Sequence, residues 1–205
     1  MRPGSCPLIL TALATIEPVL KTPPQPSGDE RRHRFTVAEF EKMHRAGAFP
    51  QELRLELLEG EVFEMPPMGD DHVDKLAVLN EELVLKLREK ARILCQVPLR
   101  TAEETSLPEA EFVVIDRNSS GGVPHAEQVR LVVEISDTTL AYDRGRKLRV
   151  YARSKVPEVW ILDVKGKQLE VYRDPQGEDY RSKQTYDEGD EVAPAAFPET
   201  PLRWW

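Results

Sequence analysis

The stretch Val129-Arg130-Leu131-Val132-Val133-Glu134-Ile135 constrains the fold more than any other part of the chain. Apolar residues at both parities of a strand cannot all face one core, so such a strand has to be covered on both faces. Helices packed above and below a sheet meet that demand, which points to an α/β (α+β) protein. The same stretch holds one misfit. Glu134 is a carboxylate inside an apolar run, and a buried charge is costly unless something partners it. Either it faces a sheet surface covered by a helix, or it lies at the mouth where the strand ends.

The flanking segments supply the rest of a sandwich. Residues 93–98 and 112–115, the latter reading FVVI, predict two strands before the central one. A long helix is expected ahead of them from about residue 72 to 91, capped by Asp70 or Asp71. Val73, Leu76, Leu83 and Leu87 form its stripe, with Ala77 and Val84 beside it. After the central strand come a helix over 140–154, a strand over 158–163, and a turn at Gly166. A return strand over 169–173 and a last strand or two past Tyr180 complete a meander. The core order is helix, three strands, helix, strand. In front of it, Thr36 and Glu39 have capping-box spacing and Phe35 with Phe40 are placed as a hydrophobic staple. Gly47 is the expected stop. Leu53, Leu55 and Leu57 alternate with polar residues, and Glu59-Gly60 turns this strand into a hairpin. Residues 1–34 read as a tail, because 21–33 are rich in Pro and charge. One domain is expected over 35–200, with an irregular Pro-rich end and a short tail at 201–205.

Hydrophobic residues make up 40% and charged residues 31%, as in soluble globular chains. No apolar run approaches the roughly 20 residues of a membrane span. Cys6 and Cys95 fit no metal or disulfide spacing, and Cys95 reads as a buried free thiol suited to the cytoplasm. Residues 7–20 are moderately apolar, and Ala12-Leu13-Ala14 is similar to a signal cleavage site. With only Arg2 ahead of them and Thr11 and Thr15 within, secretion is the lesser alternative. The net charge of −8 excludes holding nucleic acid by overall field. Any contact with DNA requires a local basic patch.

Candidate chemistry gathers around the misfit. Glu111 stands at the entrance of the preceding apolar strand. If the two strands are neighbours, Glu111 and Glu134 can point to one site, where two carboxylates repel unless a cation or proton intervenes. Magnesium, a hard cation with oxygen ligands, suits such a pair; glutamates exposed at a sheet edge, with no metal, are the plainer reading. Asp143, Lys147 and Tyr151 follow at i, i+4, i+8. At about 100° per residue Ala141, Leu148, Tyr151 and Ala152 share the core stripe, with Lys147 at its border. Arg146, Arg149 and Arg153 fall on the opposite face, either as a phosphate-binding patch or as a solvated surface. Asp143 and Lys147 could equally form a surface ion pair of about 0.3–0.5 kcal/mol. Asp163-Val164-Lys165 has the literal acid-x-lysine pattern of many nucleases, but it precedes Gly166 and reads as turn chemistry.

The stretches RFTVAEFEKM, LELLEGEVFEM followed by PPMGDDH, LPEAEFVVI, LVVEISDTTLAYDRGRKLRVYARSKVPEVWILD and LEVYRDPQGEDYRS resemble successive blocks of the Uma-two family. These bacterial proteins are named for a restriction-endonuclease-like fold, and the resemblance covers about 34–200. It implies the αβββαβ core of the PD-(D/E)XK nucleases, here with an N-terminal helix and hairpin and a C-terminal β-meander. It also implies a Mg²⁺-dependent endonuclease acting on DNA, with Mn²⁺ as an alternative ion and a homodimer as the assembly that would cut both strands. Carried over, Glu134 is the third-strand acid and Glu111 the second-strand acid. Ser136 occupies the usual lysine position, so the lysine role passes to Lys147 on the next helix. Glu56 becomes a supporting ligand, His72 a hydrogen bonder at a helix start, and Tyr151 a supporting residue. Arg146, Arg149 and Arg153 would meet the phosphate backbone. Ala110-Glu111 departs from the usual Pro-Asp. That departure keeps open a second reading, a nuclease-fold binding or assembly module that has lost catalysis.

Overall fold

Residues 32–205 are described by the computed structural model, and the chain enters its first helix through a reciprocal cap. The Glu39 amide donates to Thr36 Oγ1, and the Thr36 amide donates to Glu39 Oε2 at 2.8 Å. Helix α1 (Val37–Arg45) then runs until Gly47, whose φ of +69° gives the left-handed exit that favours glycine. Phe35 and Phe40 both join a small core with Leu57 and Leu107, as the staple spacing predicts. Strands β1 (Leu55–Leu58) and β2 (Glu61–Glu64) pair antiparallel across Glu59 and Gly60, both at positive φ. This is the twist-matched geometry of a two-residue hairpin. Gly60 is required twice over, since a Cβ there would sit 2.5 Å from Arg34 Cβ.

Helix α2 is Asp70–Leu87, and β3 (Ala91–Pro98), β4 (Glu109–Asp116) and β5 (Val129–Ser136) follow it. A helix over 140–153, α3, leads to β6 (Glu158–Asp163), β7 (Gln168–Gln176) and β8 (Asp179–Asp187). The six long strands form one sheet in sequential order, antiparallel except where α3 carries the chain from β5 to the parallel β6. Period-2 alternation splits the apolar run of β5 between two cores. Leu131, Val133 and Ile135 pack with Leu79, Leu83 and Leu87 of α2 and with Trp160; Val132 packs with Leu148, Tyr151 and Ala152 of α3. Each of these buried leucines contributes about 1.5–3 kcal/mol by leaving water. The strand is covered on both faces, as its composition demands.

Several expectations need correction. On α2 the buried line is Leu79, Leu83 and Leu87, with Leu76 half-buried beside it, whereas Val73 is 46% exposed and Ala77 and Val84 are also exposed. Apolar residues flank the true stripe on one side, so a reading by composition rotates it. Gly69 caps this helix without a side-chain bond, and Asp70 and Asp71 lie in the first turn, where they favour the positive end of the dipole. Cys95 is exposed, because β3 is an edge strand. The end of the chain is no tail. Leu202 bridges to Val192, and Trp204 is fully buried in the α2-side core. Residues 33–205 therefore form one unit. The expectations for the N-terminal tail up to residue 31, for the apolar stretch 7–20 and for Cys6 lie outside the described residues. Among those described, no helix is long and apolar enough to cross a membrane.

Candidate active site

The antiparallel pairing of β4 with β5 brings the start of one strand beside the end of the other. Phe112 lies opposite Val133, so the next step of the register sets Glu111 beside Glu134. Both line a cleft of about 180 Å³, with His72 from the first turn of α2 and Asp143 and Lys147 from α3.

α3 is irregular where it borders this cleft. It opens as Leu140–Tyr142, widens into a π turn over Asp143–Lys147, and resumes as Leu148–Arg153. The wider turn breaks the 100° frame on which Lys147 falls at the border and Ala141 on the stripe. Asp143 and Lys147 instead both point inward, at 3% and 1% exposure, while Ala141 is exposed. π turns cluster at functional sites for this reason: they redirect side chains that a regular helix would leave outside.

Lys147 Nζ is the hub. It lies 2.9 Å from Glu134 Oε1 and donates to the Glu109 carbonyl at 2.7 Å. Glu56 Oε2 at 3.8 Å and Asp143 Oδ1 at 3.9 Å complete its surroundings. Each carboxylate is held in turn. Tyr151 donates its hydroxyl to Glu134 Oε1 at 2.5 Å. Ser136 and Thr139 donate to Asp143 Oδ2 at 2.7 and 2.6 Å. Tyr142 donates to Glu56 Oε1, and the Glu109 amide donates to Glu56 Oε2.

These surroundings set the protonation states. Burial pushes the Glu134 carboxyl up to about 8, against the pull of Lys147 and with a further push from Asp143. Burial alone would lower Lys147, but Glu134, Glu56 and Asp143 outweigh it and keep the ammonium charged. Glu111 moves the other way. Burial raises it, yet His72, Gln96 and Lys147 together hold it below the usual carboxylate range. Two carboxyls of neighbouring strands thus differ in proton affinity.

A family described as putative restriction endonucleases, Uma2, matches residues 37–203. This chain belongs to the Uma2 family. Among solved structures, a protein described as a putative nuclease belonging to DUF820 from Anabaena variabilis superposes with a TM-score of 0.57 at 18% identity. The match covers 82% of this chain and 94% of that one, and at this identity it shows the fold alone. No curated protein matches the sequence. The restriction-endonuclease-like αβββαβ order is present here as α2, β3, β4, β5, α3 and β6.

Uma2 membership directs attention to a divalent cation. Among the described residues no group of three or more His, Cys, Asp or Glu side chains converges as a ready-made metal cage. The donor set nevertheless fits an open site of few protein ligands, the way magnesium is usually held. Glu111 and Glu134 contribute hard oxygens to one cleft, and carboxylates outnumber the single ammonium beside them. His72, 8% exposed, pairs its Nε2 with Glu111 Oε1 at 3.1 Å.

The remaining sequence candidates fall in three places. Glu56 lies beside Lys147, and Tyr151 bonds Glu134. Arg146, Arg149 and Arg153 lie away from the cleft, turned to the hairpin. Arg146 binds Glu61 Oε2 at 2.6 Å and stacks over Phe63; Arg153 binds Glu59, Glu103 and Glu178; Arg149 approaches Glu59 at 3.9 Å. Asp163 accepts from the Gly166 amide at 2.7 Å, the turn role expected of the decoy triplet. Gln96 is a residue that pattern reading misses. It donates to Glu111 Oε2 at 3.1 Å from a backbone φ of +50°. No periodicity carries that signal.

Proposed function

We propose that this protein is a divalent-cation-dependent endonuclease that hydrolyses phosphodiester bonds of DNA in the cleft between α2 and α3. The observation that carries the reading is Lys147, a buried ammonium fixed among Glu134, Glu56 and Asp143 beside the carboxylate of Glu111. Glu111 and Glu134 would hold Mg²⁺ or Mn²⁺. The ion would supply Lewis-acid stabilisation of charge on the scissile phosphate. Lys147 Nζ spends two of its three N–H bonds on Glu134 and the Glu109 carbonyl. The third is left for the attacking water or for an oxygen of the pentacovalent phosphorus. Tyr151 fixes Glu134 through its hydroxyl, and Glu56 keeps the lysine charged without touching substrate. In the reaction, water oxygen would bond to phosphorus as the bond to the leaving deoxyribose oxygen breaks, and the proton lost by the water would be balanced by the one gained by that oxygen, giving a phosphate monoester and a free hydroxyl. Arg149, the most lightly paired of the three arginines, is the one best placed to give its charge to a phosphate. A second copy of the chain would supply the cut on the other strand.

The departure at Glu111 and the open donor set favour a second reading, a nuclease-fold binding or assembly module without catalysis. Two measurements separate them. Supercoiled plasmid should be nicked with Mg²⁺ or Mn²⁺, with loss of cleavage in Lys147→Ala but retention of metal binding. Calorimetry should show Mg²⁺ or Mn²⁺ binding to the wild type and none to Glu134→Ala. A folded wild type that binds neither ion supports the module and sinks the nuclease.

A further inference from the structure

We infer that Arg54 captures the substrate phosphate at the mouth of this cleft, through the free edge of its guanidinium, and that Glu109 is the positioning residue that holds it ready. This rests on the phosphodiester reading above and names the residue that receives the substrate.

The first support is where the positive charge of the cleft can be reached. Of the residues that line it, Arg54 and Lys147 carry the lysine and arginine charge, against Glu111, Glu134, Asp137 and Asp143. Lys147 is buried among its carboxylates, whereas the Arg54 side chain is 33% exposed. A phosphate arriving from solvent therefore meets Arg54 before any other fixed cation of the cleft. Without that charge it would face an acidic mouth on an acidic protein, which repels it.

The second support is the donors that Arg54 keeps in hand. A guanidinium has five N–H bonds. Arg54 gives Nη2 to Glu109 Oε1 at 2.5 Å, and Glu109 is its one ion-pair partner among the described residues. Arg153, by contrast, is divided among Glu59, Glu103 and Glu178, and Arg146 is taken by Glu61 and Phe63. The uncommitted N–H groups of Arg54 can close as a fork on two oxygens of one phosphate, the geometry in which arginine surpasses lysine. Glu109, Glu111 and Glu56 all favour its charged form and outweigh its partial burial.

The third support is how Arg54 is tied to the centre. Glu109 touches three members of the site at once. Its carboxylate takes Arg54, its carbonyl accepts from Lys147 Nζ at 2.7 Å, and its amide donates to Glu56 Oε2 at 3.0 Å. The Arg54 backbone is fixed as well, because its carbonyl accepts the Met65 amide at 2.8 Å where the hairpin opens. One residue at the start of β4 thus sets the exposed cation at a constant place relative to the buried one. A phosphate held on Arg54 would be presented to Lys147 in one orientation, and such positioning is itself a large part of rate enhancement.

The test uses the full chain, a labelled DNA duplex as probe, and Ca²⁺ to fill any oxygen-ligated cation site. In fluorescence anisotropy Arg54→Ala should weaken binding about tenfold, the loss of one charge-assisted contact. The slope of log affinity against log salt should fall by about 0.9, the share of one phosphate. Arg54→Lys should keep the slope and recover part of the affinity, since charge returns without the fork. Glu109→Gln removes the carboxylate that competes with the phosphate but leaves the backbone contacts to Lys147 and Glu56, so it should tighten binding. An ion pair serving only the fold predicts otherwise: Arg54→Ala and Glu109→Gln would weaken binding together. That result, or an unchanged salt slope in Arg54→Ala, overturns the inference. Mn²⁺ calorimetry and plasmid nicking separate it from the nuclease reading. If wild type binds Mn²⁺ and nicks while Arg54→Ala binds DNA equally well, the nuclease stands and Arg54 is not its phosphate contact. If DNA is bound through Arg54 but no Mn²⁺ is taken up, the contact stands and the nuclease falls. A wild type that binds no DNA overturns the contact. Should Arg54→Ala misfold, the sign of the Glu109→Gln effect decides.

Discussion

Replacing Lys147 with methionine keeps the length and apolar stem of the side chain while deleting its charge. Three acidic side chains then remain around an uncharged group: Glu134, Glu56 and Asp143, formerly 2.9, 3.8 and 3.9 Å from Nζ. All three are buried. Removing one partner of a buried ionic cluster costs about 3–5 kcal/mol, because the other side stays buried and uncompensated. For a domain of this size about 1 kcal/mol corresponds to 2–4 °C, so melting should fall by roughly 6–20 °C. The loss must depend on pH, and its sign is fixed. Glu134 already has its carboxyl raised from 4.5 to about 8 with the ammonium beside it, and without Lys147 it rises further. A group with a raised folded pKa gives its full stability below its unfolded value and loses it as pH climbs through the folded one. Wild type and variant lose that stability alike between 4.5 and about 8, and only the variant goes on losing it, so the deficit of Lys147→Met should be level up to about pH 8 and widen above it. Added Mn²⁺ should recover part of it, since a bound cation replaces the missing charge and stabilises by mass action. Thermal melts of variant and wild type at about pH 7 and about pH 9.5, with and without Mn²⁺, measure all of this. Melting within about two degrees of wild type at the higher pH, or a deficit indifferent to pH, would refute the buried cluster.

Three further outcomes are expected. Trp204→Ala should cost about 3–5 kcal/mol in a denaturant melt, because the indole is fully buried in the main core; a loss under about 1 kcal/mol would return the C-terminus to the status of a tail. Gly60→Ala should destabilise by more than about 1 kcal/mol by the same measurement, since the new Cβ meets Arg34 Cβ at 2.5 Å and the residue has φ +78°. Gln96→Gly should leave stability within about 1 kcal/mol of wild type, relief at φ +50° offsetting the lost bond to Glu111, while metal affinity in calorimetry declines; a large unfolding would mean Gln96 serves packing instead.

What the sequence discloses follows from which physical rule writes each feature. The both-face apolarity of β5 is written by burial, so the covered central strand and the anomalous Glu134 are readable from one strand of text. The cap at Thr36 and Glu39 and the turn at Glu59-Gly60 are written by local backbone chemistry, and they too are legible. The burial of Asp143 is not. A regular helical wheel cannot anticipate a π turn, and the same i, i+4 pair reads equally well as a surface salt bridge. The arginine face fails for a different reason. Periodicity assigns Arg146, Arg149 and Arg153 to one exposed side, but Glu59, Glu61 and Glu103, distant in sequence, arrive through the hairpin and its neighbouring loop to bind them. Trp204 escapes because a Pro-rich ending resembles an irregular tail until a tertiary pocket is known.

The charge balance of the cleft ties these observations together. Glu56, Glu111, Glu134 and Asp143 are set around one ammonium, and a low-dielectric setting does not tolerate such an excess of negative charge. Without a cation the protein has one remedy, which is to keep a proton on the most buried carboxyl, and the elevation of Glu134 to about 8 is that remedy. A divalent ion between Glu111 and Glu134 offers another, and it must displace that proton to enter. Metal affinity should therefore strengthen as pH rises toward 8 and flatten above it, with close to one proton released per ion bound near neutrality. Calorimetry of Mn²⁺ in two buffers of different ionisation enthalpy counts that proton directly. Binding without proton release at pH 7 would mean that Glu134 is already ionised beside Lys147, and that a retained proton is not how the empty cleft limits its negative charge.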